Sequence, residues 1–280
     1  ARMHGLDAIP DRMPDATAIS TLGDQGFYAH AKCRQLLLGM GFSEAMHYSF
    51  LSAQELDAFD KRGATRRAVL PNPVSADYGV LRDSLLPQLA GSLGRNASRQ
   101  VERAALFEMG RVFFADEKAQ PGEEERLAFG MMGPFGRPAL DRRRPVTNEE
   151  ALLWVKGAFE SLVSALHAGD VTFASGEHPS MEKGWAADIL LNGERIGVMG
   201  ILSSTLRHQW RMTAPMPLAE VRLSPLLSGG ASLRVIAPAP QYPAVRRDIA
   251  FVCDAQVNHN RVVEVIRKTG EKRTAIPYSH

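Results

Sequence analysis

The sequence predicts an α+β fold, a mostly antiparallel sheet flanked by helices, followed by the start of a second small domain. Three observations predict it. Apolar residues keep helical spacing in two stretches, Leu86–Ala97 and Leu152–Leu166. Apolar strand-like runs come in neighbouring blocks, Ala104–Phe114 with Arg126–Met132 and Ala186–Leu191 with Arg195–Leu202. Asn192-Gly193 between the last two is a strong two-residue hairpin signal.

In chain order, residues 1–10 read as the end of an earlier module, with Gly5 as a helix stop, and residues 11–24 as a polar, proline-containing linker. Gly26 to Leu38 is a helix closed by Gly39-Met40-Gly41. His47 to Phe50 alternates like a short strand. Ser52-Ala53-Gln54-Glu55 is a capping box opening a short helix toward Phe59. Ala68 to Leu70 is strand-like and stops at Pro71-Asn72-Pro73. Pro87 falls in the first turn of the Leu86 helix, where proline is tolerated. Polar residues 115–125 read as a long connection between the next two strands. Thr147-Asn148-Glu149-Glu150 is a second capping box; the amphipathic helix it opens ends at Gly169. Val171–Phe173 and Leu218–Leu223 complete the strands. Residues 228–240, rich in Gly, Ser, Ala and Pro, read as a domain linker. Asp248–Cys253 then reads as a strand, and Val262, Val263 and Ile266 mark a helix.

Composition sets the bounds. The 280 residues fit one large domain or two modest ones. At 45% hydrophobic and 23% charged, the chain can bury a core. A net charge of +2 demands neither nucleic acid nor an anionic membrane. Cys33 and Cys253 lie far apart, which argues against a disulfide framework and for a reducing compartment. No apolar run reaches the roughly 18 residues of a membrane span. The start, Ala1-Arg2-Met3-His4, lacks a signal-peptide pattern and an initiating Met, and reads as a cut fragment.

Walker, GxGxxG, HExxH, GxSxG and paired CxxC motifs are absent. Glu177 and His178 precede Trp185 with no nucleophile beside them in sequence, so a turn fixed by Pro179 is the favoured reading. His4, His30, His47 and His167 have no metal-ligand spacing. Arg142-Arg143-Arg144 fits a solvated loop better than a phosphate site. Arg95, Arg99 and Arg103 at i, i+4 and i+8 would line one helix face, open to RNA, an acidic partner or solvent alike.

Pro71-Asn72-Pro73-Val74-Ser75, then Val80 to Pro87, then Leu106-Phe107-Glu108-Met109-Gly110-Arg111-Val112-Phe113 resemble, in order and spacing, the synthetase-like module of the bacterial phenylalanyl-tRNA synthetase beta subunit. Weaker matches are Arg2 to Pro10, Gly41-Phe42-Ser43-Glu44, Tyr48-Ser49-Phe50 and Lys156-Gly157. Tyr242 to Ala250 resembles the opening strand of that family's C-terminal anticodon-binding domain. The resemblance implies residues 1–10 as the end of a small helical module and 11–227 as a catalytically degenerate class II synthetase core. Residues 228–240 are then a linker, and 241–280 a truncated ferredoxin-like anticodon-binding domain. It implies a heterotetramer with a catalytic alpha subunit, cytoplasmic, charging tRNA(Phe) with ATP and magnesium. The magnesium ligands of the family fall upstream of Arg2, so no metal site is expected in this segment, and no catalytic residue.

The degeneracy shows in the sequence. A working core needs an arginine just after the Gly-Arg-Val-aromatic strand to meet phosphate. Phe114 stands there, followed by Asp116 and Glu117. A second arginine should follow a late glycine-rich strand; Gly197 to Leu202 is the candidate, with Arg207 the next arginine. Ser203-Ser204 departs from the family's usual His-Pro pair. The candidates for subunit-interface or tRNA contact are Arg82, Arg95, Arg99, Arg246 and Arg247. The rival readings are an active ligase working alone, which Phe114 opposes, and a free-standing RNA-binding adaptor, which the near-neutral charge opposes.

Overall fold

The computed structural model describes residues 25–73, 75–115, 121–136, 141, 144–228, 248, 250–254, 256–257 and 259–274. The chain divides into two compact units, Ala1–Leu233 and Arg234–His280.

In the first unit, helix α1 (Gln25–Gly39) leads through a turn into β1 (Ser43–Glu44). Gly41 makes that turn at φ +90°, a conformation that favours glycine. Strands β2 (Phe50–Leu51) and β3 (Val80–Leu81) form a small antiparallel pair around α2 (Ala53–Phe59) and two 3-10 turns, Lys61–Arg66 and Ala76–Tyr78. The capping box is present in full: Ser52 Oγ accepts from Glu55 N–H, and Ser52 N–H donates to the Glu55 carboxylate. Helix α3 (Leu86–Ser98) precedes the hairpin β4 (Ala104–Ala115) and β5 (Pro121–Met132). Helix α4 (Asn148–Leu166) follows, N-capped by the Thr147 hydroxyl. Then come β6 (Val171–Ser175), β7 (Met181–Leu191), β8 (Glu194–Leu202), the short α5 (Ser204–Arg207), β9 (Pro217–Arg222) and α6 (Leu223–Ser228).

One seven-stranded sheet runs β1-β4-β5-β9-β8-β7-β6. All its pairs are antiparallel except β1 with β4, so the sheet is mixed rather than purely antiparallel. Period-two alternation gives it two buried faces. Phe107, Leu127, Phe129, Ala219 and Val221 face a core shared with Cys33 and Leu37 of α1, Val155, Phe159 and Leu162 of α4, and Leu226 of α6. Val112, Ala128, Met132 and Leu218 face Leu86, Leu89, Ala90 and Leu93 of α3. Trp210 closes this second core by lying on Gly94, where a Cβ would run into its ring.

Several boundaries differ from the sequence reading. Residues 121–125 continue β5, because Glu123 and Glu125 pair across the hairpin with Arg111, so the connection is shorter than predicted. His47 lies outside any strand; its ring is drawn to Glu108 instead. Ala68–Leu70 contributes only a bridge from Val69 to Val80. His167, left-handed at φ 55°, caps α4 ahead of Gly169. Arg95, Arg99 and Arg103 do not share a helix face, because α3 ends at Ser98 and Gln100 turns left-handed at φ 62°.

In the second unit the one described helix is α7 (His259–Thr274), with Glu264 paired to Arg261 and Lys268. The predicted strand Asp248–Cys253 is not formed at its described residues. No strand is described beside it, and a lone strand leaves its backbone groups unpaired. The calls on residues 1–24, on Asp116, Glu117, Arg142 and Arg143, and on most of the linker lie outside the described residues.

Candidate functional site

The site is built on the sheet face turned toward α3. Register places Glu108, Ala128, Glu220, Val198 and Asp188 in one row across β4, β5, β9, β8 and β7. Two of these, Glu108 and Glu220, are buried carboxylates, at 2% and 6% exposure. Charges at that depth need partners, and each acid has a guanidinium. Arg82 Nη1 donates to Glu108 Oε1 at 2.7 Å while its Nε donates to the Arg111 carbonyl. His47 Nδ1 lies 2.6 Å from the other Glu108 oxygen and its Nε2 lies 2.7 Å from Ser92 Oγ. Burial alone would raise the Glu108 carboxyl, but His47 and Arg82 outweigh it and hold its pKa below the ordinary value.

Glu220 gathers the residues entering α3. It accepts from the Ser84 hydroxyl, from Leu85 N–H at 2.5 Å and from Arg126 Nη1 at 2.8 Å. Arg126 also donates to Glu124 and to the Asp83 carbonyl. Burial opposes its charge, yet Glu220 and Glu124 raise its pKa above the ordinary value. The guanidiniums of Arg126 and Arg66 lie over the Phe114 ring, 5.4 and 5.8 Å from its centroid.

This arrangement leaves the face with little to offer an anion. Binding a nucleotide triphosphate needs uncompensated cations. Here one position is a phenyl ring, the nearer guanidinium, Arg126, is held between two carboxylates, and the other, Arg66, is exposed on the Lys61–Arg66 turn outside the sheet. The donor set does not fit ATP. Among the described residues no three His, Cys, Asp or Glu side chains converge as metal ligands. His178 Nδ1 lies 2.9 Å from Ser180 Oγ, and its Nε2 3.7 Å from Asp60. The sequence reading set no nucleophile beside His178, but Ser180, two residues on, is the hydroxyl the fold brings to it. Ser180 is fully buried, away from any substrate approach, and burial pushes the His178 pKa down, partly offset by Asp60.

A second feature is a cleft of about 1130 Å³ between α2, α3 and the 46–51 and 77–78 segments. Met46, Tyr48, Phe50 and Tyr78 line it and are exposed, Met46 at 92% and Tyr48 at 77%. Tyr48 and Tyr78 meet edge to face, with centroids 6.5 Å apart. Arg95, whose one hydrogen bond among the described residues is to Ser92 Oγ, borders the cleft.

With this geometry in hand, comparison with known proteins settles the family. The profile described as the phenylalanyl tRNA synthetase beta chain CLM domain matches residues 9–223. The chain belongs to that family. It is 33% identical over 276 residues to the phenylalanine–tRNA ligase beta subunit of Bacillus subtilis, covering 97% of this chain and 34% of that protein. The beta subunit of Xanthomonas euvesicatoria pv. vesicatoria is 31% identical over 277 residues, 96% of this chain and 33% of its own length. The chain therefore spans about a third of the curated relatives it matches. Among solved structures, Desulfitobacterium hafniense PylSc, a pyrrolysyl tRNA synthetase, superposes with a TM-score of 0.54 at 17% identity, over 72% of this chain and 65% of that one. At that identity the likeness is one of fold: α+β, with a mixed seven-stranded sheet flanked by helices, in the manner of a class II synthetase core.

The residues quoted for the beta-chain resemblance now have places. Phe107 to Phe113 is the heart of β4, and Asp83-Ser84-Leu85 is the segment that Glu220 holds. Arg82 turns its guanidinium inward, at 4% exposure, onto Glu108. Arg95 and Arg99 are exposed at the last turn and C-cap of α3. Arg246 and Arg247 lie outside the described residues. Arg207 is buried too: it donates to the carbonyls of Leu202, Thr213 and Ala214 and pairs with Glu182. Ser203 caps α5, its side chain accepting from Leu206 N–H. The sequence reading missed Arg126 and Glu220. A lone acid inside the apolar run Pro217 to Val221 was the available signal, since Glu is rarely buried unpaired.

Proposed function

We propose that this chain is the non-catalytic synthetase-like portion of a phenylalanine–tRNA ligase beta subunit. It supports a catalytic alpha subunit and tRNA(Phe) binding while the assembly charges tRNA with phenylalanine, using ATP and magnesium, in the cytoplasm. Two alpha–beta pairs form the heterotetramer. Residues 11–227 are the degenerate core, preceded by the end of a small helical module. A linker at 228–240 leads to an incomplete ferredoxin-like anticodon-binding domain.

The observation that carries this reading is the filled sheet face. Phe114 sits where a phosphate-facing arginine belongs, and Arg126 is neutralised by Glu220 and Glu124. A scaffold of this kind retains the fold and trades substrate contacts for internal ones. The exposed aromatic cleft supports a docking role, since aromatic side chains are enriched in protein interfaces.

The test is phenylalanine-dependent exchange of pyrophosphate into ATP. The isolated chain is expected to show none, and to co-purify with a bacterial alpha subunit. Phe114→Arg alone should not restore exchange, because the new cation would stand beside Arg126 without freeing it from Glu220 and Glu124. Exchange by the unmodified chain would overturn the reading.

A further inference from the structure

Arginine pairing in the first unit is uneven. Arg34, Arg62, Arg67, Arg82, Arg111, Arg126, Arg144, Arg195, Arg207 and Arg222 each have a carboxylate partner. Arg66, Arg95, Arg99, Arg103 and Arg211 have none among the described residues, and all five are exposed; Arg66 lies over the Phe114 ring, away from the other four. These four collect at one end of α3. Val101 N–H bonds the Asn96 carbonyl, folding the chain back so that Arg103 follows the helix end closely. Ser98 Oγ donates to the Trp210 carbonyl, which ties the backbone just before Arg211 to the helix end just before Arg99. Trp210 packed on Gly94 fixes that junction.

We propose that Arg95, Arg99, Arg103 and Arg211 form a docking surface for the phosphodiester backbone of RNA, an inference resting on the reading that this chain serves a tRNA-charging assembly. Arginine favours phosphate through its fork of donors. Glu102 is the single acid in residues 95–103. The neighbouring side chains Asn96, Ser98, Gln100 and Gln209 are polar and suited to sugar and phosphate oxygens, with Val101 the one large apolar side chain exposed among residues 95–103. The surface makes no base-edge claim, so it adds affinity and orientation and not sequence choice.

The experiment measures RNA binding by the chain across a salt series, with a tRNA(Phe) transcript and a mixed-sequence RNA duplex as probes. The triple variant R99Q/R103Q/R211Q should lower the slope of log affinity against log salt by about 3, and affinity at low salt by roughly tenfold or more, for both probes. Arg111→Gln, an exposed arginine paired with Glu123, should change neither. Matching thermal melts of variant and parent show that the fold is kept. An unchanged slope in the folded triple variant overturns the inference. So does an absence of salt-dependent binding by the parent chain. Loss of alpha-subunit retention with RNA binding intact reassigns the patch to a protein interface and also overturns it. Failure of the chain to associate with alpha at all counts against the proposed function and leaves the RNA result readable by itself.

Discussion

Glu108 shows how one side chain ties sequence to site. It sits in an apolar strand, yet it anchors Arg82 from the loop before α3 and His47 from the loop after β1. Replacing it with alanine would strand Arg82 at 4% exposure without a counter-charge, a change expected to cost about 3–5 kcal/mol. The pH dependence has a definite sign. The folded carboxyl is held below its ordinary value of 4.5, so its contribution is complete above that value. It is lost as pH falls through the lower, folded-state pKa. Urea unfolding of the parent between pH 7 and pH 3 should therefore show a decline that Glu108→Gln flattens; equal slopes for both would remove Glu108 from the acid sensitivity. Phe114 teaches the converse. Its identity was readable as the loss of a cation, but its contact with two guanidiniums was not, because the partners Arg66 and Arg126 come from a 3-10 turn and a different strand.

At the scale of elements, local signals were read best. The Ser52 capping box, the Asn192-Gly193 hairpin and the amphipathic α4 follow from neighbours a few residues apart, and each is present. What depends on distant pairing was harder. Glu123–Glu125 looks like a polar loop until Arg111, on the facing strand, supplies its counter-charge. Glu220 looks like an outlier until α3 places Leu85 N–H and Ser84 above it. The span 248–253 fails in the opposite direction: its apolar residues read as a strand, but a strand exists only with a neighbour, and none forms at its described residues. Phe251 and Val252 are exposed, at 55% and 101%. Amide exchange should reflect this, with Ala250–Cys253 exchanging at near-unprotected rates while Leu106–Phe113, paired along β4 and β5, exchanges orders of magnitude more slowly. Comparable protection in both spans would show a strand partner for 250–253.

For the whole molecule, the question is what a synthetase-like fold does once its sheet face is closed by its own residues. Its useful surface must then be on the outside. The cleft beside α3 presents Met46, Tyr48, Phe50 and Tyr78 to solvent, a cluster that a monomer has no reason to leave uncovered. The segment carrying three of them is held rigidly from beneath: Gln88 donates to the Tyr48 carbonyl, Arg82 N–H to the Ser49 carbonyl, and His47 to the Glu108 network. A surface fixed before binding loses less entropy on docking. Met46 separates folding from docking cleanly, because at 92% exposure it contributes almost nothing to the core. Met46→Asp should leave thermal stability of the chain within about 0.5 kcal/mol of the parent. It should weaken association with an alpha subunit by tenfold or more, since a carboxylate would have to be desolvated in an apolar contact. Titration of labelled alpha subunit against parent and variant chains measures the difference. Equal affinities would place the partner on another face of this unit.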